Sequence, residues 1–161
     1  MVNISGYDRP GVTAALTSIL AKYDADILDI GQADIHHYLS LGILFKTDSS
    51  VSGDIMKELL FKASELNFQI HFTPISVEEY TDWVGRQGKQ RWIITTLGRE
   101  LTSRHIALVS EVISKQNLNI DSIRRLTGRM PLEEKENPLS KACVEFSVRG
   151  TPRDRAEMQS Q

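Results

Sequence analysis

One arrangement of apolar runs and glycines occurs twice in this chain. In the first copy an apolar run enters residues 6–12, a helical pattern follows, and a second apolar run lies at residues 27–30. In the second copy residues 93–97 lead into Gly98, a helical pattern follows, and the matching run lies at residues 120–123. A repeat of this length predicts two copies of one small α/β unit.

The composition is that of an ordinary globular protein. Of 161 residues, 40% are hydrophobic and 25% are charged, and the formal net charge is −2. This charge gives no basic face for nucleic acid, and no apolar stretch reaches the length of a membrane span. A single cysteine, Cys143, excludes an internal disulfide framework. With no signal-peptide pattern at the start, we expect a cytoplasmic protein without nucleic-acid or membrane partners.

The order of apolar patterns in the first copy is strand, helix, strand, strand, helix, strand. The second predicted strand ends near residue 37 and the third starts near residue 39. Because so few residues separate them, these two strands should form an antiparallel hairpin. This order is the split, ferredoxin-like βαββαβ plan of the α+β class. We therefore predict a first domain at residues 1–79, a linker at residues 80–90, and a second domain at residues 91–161.

The second copy is expected to be incomplete at its carboxyl end. Thr151 and Pro152 should open its second helix, after which nine residues remain. We thus expect the second unit to be truncated after its third strand and the start of that helix. Its sheet would then expose an inner strand as an edge, either because the chain is cut from a longer protein or because another chain supplies the missing strand.

The turn at residues 6–12 carries the strongest functional signal. Gly6 permits a positive φ, and Gly11 lets a ligand approach the backbone closely. The helix that follows offers unpaired N–H groups and the positive end of its dipole, which suit a carboxylate or phosphate. Asp8 would accept a hydrogen bond from a ligand ammonium group. The alternative is a structural turn in which Asp8 caps the helix.

At this turn the chain resembles the ACT domain, a small amino-acid-sensing module with the same βαββαβ plan. Residues 6–16, 26–32 and 39–45 are similar to the amino-terminal half of long-form bacterial phosphoserine phosphatases. Residues 98–102 and 118–126 are similar to the second ACT unit of that family. The resemblance covers nearly all of the chain, and the paired copies are more specific than the Asp-Arg-Pro-Gly turn alone.

The resemblance implies a ligand site where the turn of one unit faces the second strand of another unit. The implied ligand-binding residues are Gly6, Asp8, Arg9, Pro10, Gly11 and Val12 in the turn, with Asp26 and Ile27, or Asn119 and Ile120, in the facing wall. The resemblance makes serine the expected ligand, because it is the end product of the family's reaction. The second turn lacks the Pro-Gly pair, so it should cradle a ligand less well, although Thr102 can cap its helix.

The family resemblance also implies a phosphatase domain that is absent from these residues. That domain uses Mg²⁺ and an Asp-x-Asp-x-Thr/Val loop. The nearest match, at residues 24–28, ends in leucine and lies between a helix and a strand, which is the wrong context. We expect no catalytic residue, metal ligand or cofactor here. His36 and His37 are adjacent on a predicted strand, so they would point to opposite faces.

Two functions remain open from the sequence. The first is the serine-sensing regulatory region of a phosphoserine phosphatase, assembled as a homodimer with its phosphatase domain outside these residues. The alternative is a stand-alone tandem ACT regulator that acts through protein partners with no attached enzyme. The absence of any nucleophile–base pair disfavours an enzyme acting alone.

Overall fold

The computed structural model describes residues 1–87, 90–128 and 141–153. The chain divides into two compact units, Met1–Tyr80 and Thr81–Gln161. The boundary falls within a helix, α3 (Val77–Gln87), which covers most of the residues expected to form a linker.

The first unit has the predicted ferredoxin-like plan. Its elements are β1 (Val2–Tyr7), α1 (Val12–Lys22), β2 (Asp26–Ile35), β3 (Tyr38–Lys46), α2 (Ser49–Glu65) and β4 (Gln69–Phe72). The strands form one antiparallel sheet in the order β2-β3-β1-β4. The α+β class predicted from the sequence is therefore confirmed.

The core of the first unit lies between one face of the sheet and the two helices. Alternate residues of the strands point into it because side chains along a strand change face at every step. The helices contribute apolar residues spaced three and four apart, which share one helical face. The buried core residues include Ile4, Leu16, Leu41, Ile55 and Leu59, each at most 1% exposed. Burial of each such side chain contributes about 1.5–3 kcal/mol to stability.

A polar cluster joins the carboxyl end of α1 to α2. The Lys22 ammonium and the Tyr23 hydroxyl both donate to Glu58 Oε1, at 2.5 and 2.6 Å. These hydrogen bonds, Lys22 first, hold the pKa of the Glu58 carboxyl below its usual value. The hydrogen bond to Glu58 raises the pKa of Lys22 and that of Tyr23.

Stability is expected to fall in acid in part through Glu58. A lowered folded-state pKa stabilises the fold above the unfolded-state value of 4.5, and that contribution is lost as pH falls through the folded-state pKa. Urea unfolding should therefore show Glu58→Gln less stable than wild type at pH 7, with the difference shrinking by pH 3. Glu78→Gln, an exposed change on α3, is the control. A Glu58→Gln difference that stays constant from pH 7 to 3 would contradict the assignment.

The second unit repeats the first three strands of the plan. Its elements after α3 are β5 (Arg91–Gly98), α4 (Ser103–Lys115), β6 (Asn119–Arg125) and β7 (Ala142–Arg149). The sheet order β5-β7-β6 matches β1-β3-β2 of the first unit. Ile113, Phe146 and Val148 form the centre of a smaller core against α4.

Over the described residues, the two units differ in the number of strands that pair with their first strand. In the first unit β1 pairs with both β3 and β4, whereas β5 pairs with β7 alone among the described strands. Residues 151–153 are not helical, and the rest of the predicted second helix lies outside the described residues.

Candidate functional site

The turn between β1 and α1 leaves backbone amides open at the start of the helix. Gly11 caps α1 with a left-handed backbone (φ +90°), and no side chain caps the helix. The Val12 N–H donates weakly to the Arg9 carbonyl (3.4 Å), and no acceptor lies against the N–H groups of Thr13 and Ala14 among the described residues. Such amides, at the positive end of the helix dipole, form a site for an anionic group.

Gly11 is suited to ligand approach because nothing lies where its side chain would be. A Cβ atom at this position would meet no other atom within 4 Å, and the residue is exposed. The left-handed backbone would strain any L side chain by about 1–2 kcal/mol. Gly11 therefore has the free space expected of it, and it also has the positive φ that was expected at Gly6.

Gly6 has a different role from the one predicted. Its φ is not positive, because it is a regular residue of β1 paired with Leu39. A Cβ on Gly6 would lie 2.9 Å from two ring atoms of Phe68, the residue that precedes β4. Gly6 is therefore required for the close approach of Phe68, and the prediction of a positive φ was wrong.

Asp8 and Arg9 make different contacts in the turn. The Asp8 N–H donates to the His37 carbonyl at 2.8 Å, which extends the pairing of β1 with β3, and the Asp8 side chain is exposed. Since Gly11 is the cap and no side chain caps α1, Asp8 is not the helix cap. Arg9 Nη2 donates to the Leu66 carbonyl at the carboxyl end of α2, where a cation is favourable.

The remaining turn residues differ in what they can offer a ligand. Pro10 is exposed beside Gly11, whereas Val12 is 3% exposed and packs into the core. Only the backbone of Val12 is therefore available at the site. Thr13 Oγ1 donates to Gln32 Oε1 on β2 at 2.8 Å, which places an exposed amide side chain next to the open amides.

A group of exposed aromatic side chains beside the turn was missed from the sequence. β2 ends at Ile35, and His36 and His37 form the two-residue hairpin turn with φ of +53° and +60°. Positive φ at both positions is the feature of a type I′ turn. The Tyr7 and Tyr38 rings meet edge to face, 5.9 Å apart, at the same end of the sheet. The short separation between the two strands predicted the hairpin. It did not predict that His36 and His37 form the turn, since both were expected to lie on the strand.

Asp26 and Ile27 lie at the other end of the same sheet. Asp26 pairs with Lys46, while Tyr38, the neighbour of Tyr7, pairs with Ile35. Nine steps along β2 at about 3.3 Å each separate Asp26 from Ile35 by about 30 Å. Within one unit the structure therefore does not bring Asp26 or Ile27 to the turn. A facing wall from another unit stays a prediction.

The corresponding residues of the second unit are at the start of β6. Asn119 is exposed and pairs with Arg149, whereas Ile120 is half-buried and packs against the core of the second unit. Asn119 therefore presents its side chain for binding more fully than Ile120 does.

At the second strand–helix turn, between β5 and α4, side chains cap the start of the helix. Thr102 Oγ1 accepts from the His105 N–H at 3.3 Å, and the Thr102 N–H donates to His105 Nδ1 at 3.4 Å. This reciprocal capping box satisfies donors that remain open in α1. A mostly apolar cleft of about 230 Å³ lies behind the turn, lined by residues that include Leu97, Leu101 and Leu108. The predicted cap by Thr102 is present.

Neither a cluster of metal ligands nor a membrane-spanning helix is present among the residues that the structure describes. No group of three or more His, Cys, Asp or Glu side chains in residues 1–87, 90–128 and 141–153 is arranged to hold a metal ion. None of the helices described is both long enough and apolar enough to span a bilayer.

Comparison with known proteins shows what this chain is similar to. Residues 1–73 match the family model of the ACT domain. A phosphoserine phosphatase of Streptomyces coelicolor is 30% identical over 154 residues, 93% of this chain and 33% of the relative. Phosphoserine phosphatase SerB2 of Mycobacterium tuberculosis is 27% identical over 130 residues, 79% of this chain and 30% of the relative.

The fold is also found among solved structures. One such structure is a crystal structure of a candidate glycine cleavage system transcriptional repressor, with a TM-score of 0.63 and 11% sequence identity. The match includes 99% of this chain and 84% of that chain. The chain spans about a third of the length of the two phosphatases. Residues 1–73 of this chain are thus similar to the ACT domain, and phosphoserine phosphatases are similar to the chain over most of its length.

Proposed function

We propose that this chain is the amino-acid-binding regulatory region of a phosphoserine phosphatase. The ACT domain at residues 1–73 and the similarity to two phosphoserine phosphatases support this function. The observation that carries it is the turn at Gly11, which has open space beside it and is followed by the amides of Thr13 and Ala14, which have no acceptor among the described residues.

The proposed ligand is a small amino acid, with serine favoured as the product of phosphoserine hydrolysis. Its carboxylate would accept hydrogen bonds from the amides at the start of α1. Its ammonium group would lie against the exposed Asp8 carboxylate. Arg9 would hold the turn in place, because its guanidinium donates a hydrogen bond to the Leu66 carbonyl.

The rest of the site would come from a second unit. We propose that the start of β2 or of β6 covers the ligand, through Asp26 and Ile27 or through Asn119 and Ile120. A homodimer supplies such a wall for each turn. Serine then regulates the protein to the extent that it binds two arrangements of the units with different affinities.

The hydrolytic chemistry is assigned to residues outside this chain. Since the chain spans about a third of its phosphatase relatives, we propose that a separate domain hydrolyses phosphoserine with Mg²⁺. The two units themselves need no metal or cofactor for the proposed binding, and the proposed compartment is the cytoplasm.

Calorimetry of the chain with L-serine, glycine and phosphoserine tests the proposal. We expect saturable binding of L-serine, weakened about tenfold or more by Asp8→Ala, because a hydrogen bond to a charged group contributes about 1.5–3 kcal/mol. Asp54→Ala, which removes an exposed carboxylate on α2, should leave the affinity unchanged. Absence of binding for all three compounds, or equal effects of the two variants, would contradict the proposal.

A further inference from the structure

We propose that the second unit has a separate binding site for a small zwitterion, in a polar cleft between α3, the start of β6 and the end of β7. The cleft has a volume of about 340 Å³ and includes Trp83, Arg86, Asn119, Asp121 and Arg149 in its lining. Ligand pockets have volumes of about 300–1,000 Å³. This cleft falls within that range, whereas the cleft of about 230 Å³ behind the second turn does not. The site goes beyond the proposed function because it uses no residue of the Gly11 turn, and it is distinct from that turn if Asp26 and Ile27, rather than Asn119 and Ile120, cover the ligand there.

An ion pair with little side-chain exposure lies in the lining of this cleft. Asp121 Oδ2 accepts from Arg149 Nη2 at 3.0 Å and from Arg149 Nε at 3.1 Å. Both bonds use the same carboxylate oxygen, and the two side chains are only 20% and 24% exposed. The second carboxylate oxygen of Asp121 has no hydrogen bond to a described residue, so it remains available to accept one from a ligand.

A β-bulge directs Asp121 into this position. The pairing of β6 with β7 shifts between Ile120 and Ser122, which makes Asp121 the extra residue of the strand. Bulges re-aim side chains and are frequent next to functional sites. The first unit has the same shift between Ile27 and Asp29, but the residue there is Leu28. The carboxylate is thus a feature of the second unit alone.

The charges of the two walls fit an α-amino acid. On α3, Arg86 Nη2 lies 3.8 Å from Asp82 Oδ2, and the Arg86 side chain is largely exposed. Its guanidinium can therefore turn to a ligand carboxylate. On the other wall, Asp121 and the Asn119 side chain can accept from an ammonium group. The carboxyl end of α4, where Asn117 also lines the cleft, adds the negative end of a helix dipole. Trp83 provides an apolar surface.

Tryptophan fluorescence of the whole chain tests this site with glycine, the smallest zwitterionic amino acid. The chain has two tryptophans, and Trp83 lines the cleft. We expect a saturable fluorescence change that is lost in Trp83→Phe. Arg86→Gln and Asp121→Asn should each weaken binding about tenfold, since each removes one charge-assisted hydrogen bond. Arg86 is exposed, so Arg86→Gln remains informative if Asp121→Asn fails to fold.

The Asp8→Ala variant separates this site from the Gly11 turn. Retention of the fluorescence change in Asp8→Ala, together with its loss in Trp83→Phe, supports a separate site even if the turn binds nothing. Loss of the change in Asp8→Ala would assign it to the turn and overturn this inference. No saturable change, or unchanged affinity in both Arg86→Gln and Asp121→Asn, would overturn it as well.

Discussion

Phe146→Ala is expected to lower the free energy of unfolding by about 3–5 kcal/mol, the usual cost of deleting a buried phenylalanine ring. Phe146 is fully buried on β7, the central strand of the second sheet. The core around it includes Ile113 and Val148, which would lose their contacts with the ring. Since domains are stable by only about 5–15 kcal/mol, a loss of this size would leave the second unit close to unfolding.

Urea unfolding measured by circular dichroism would report this loss as a lower midpoint. Phe61→Ala is the matched control, because Phe61 on α2 is 64% exposed. Its removal should change stability by about 0.5 kcal/mol or less. Equal losses for the two variants would contradict the placement of Phe146 in the core.

The second large effect is expected from Gly6→Ala, at about 1–3 kcal/mol, the typical cost of overpacking. The new methyl group would lie 2.9 Å from Phe68 Cγ and Cδ1, atoms near the base of the ring that move away only if the side chain changes rotamer or the backbone shifts. Phe68 is 7% exposed, so the ring has no free space to enter. The strain would spread to β1, which leads directly into the turn.

Thermal unfolding of Gly6→Ala checks this expectation, with Gly31→Ala as the control. Gly31 is also a strand glycine, but a Cβ there meets nothing within 4 Å. Adding Phe68→Leu to Gly6→Ala should recover part of the loss, because a smaller side chain relieves the overlap. A Gly6→Ala protein as stable as Gly31→Ala would show that the Phe68 contact is wrong.

The fold was predictable because its signals are local and periodic. Alternating apolar residues marked β3, and the repeat of the first copy in the second predicted the shared strand order. Residues 80–90 carry glycines and mostly polar residues, which favoured a linker. Most of them nevertheless lie in α3, where Trp83 and Val84 remain partly exposed.

The candidate site was less predictable because it depends on contacts between distant residues. Gly11 was singled out for close approach of a ligand, but its left-handed backbone at the start of α1 was not predicted, because the positive φ was assigned to Gly6. The reason for Gly6 was not predicted either, because Phe68 approaches from more than sixty residues away in the sequence. The direction of Arg9 toward Leu66 is likewise a tertiary contact. The Asp121–Arg149 pair depends on strand register and a bulge, neither of which the spacing of residues fixes.

The amide resonances of Thr13 and Ala14 test the central claim most directly. In a titration of the ¹⁵N-labelled chain with L-serine, followed by NMR, these two amides should show the largest saturable downfield shifts in α1, because a carboxylate becomes their acceptor. Serine methyl ester, which has no free carboxylate, should not produce those shifts. If both amides stay unchanged at saturating L-serine, or respond equally to the ester, the Gly11 turn does not bind the ligand carboxylate.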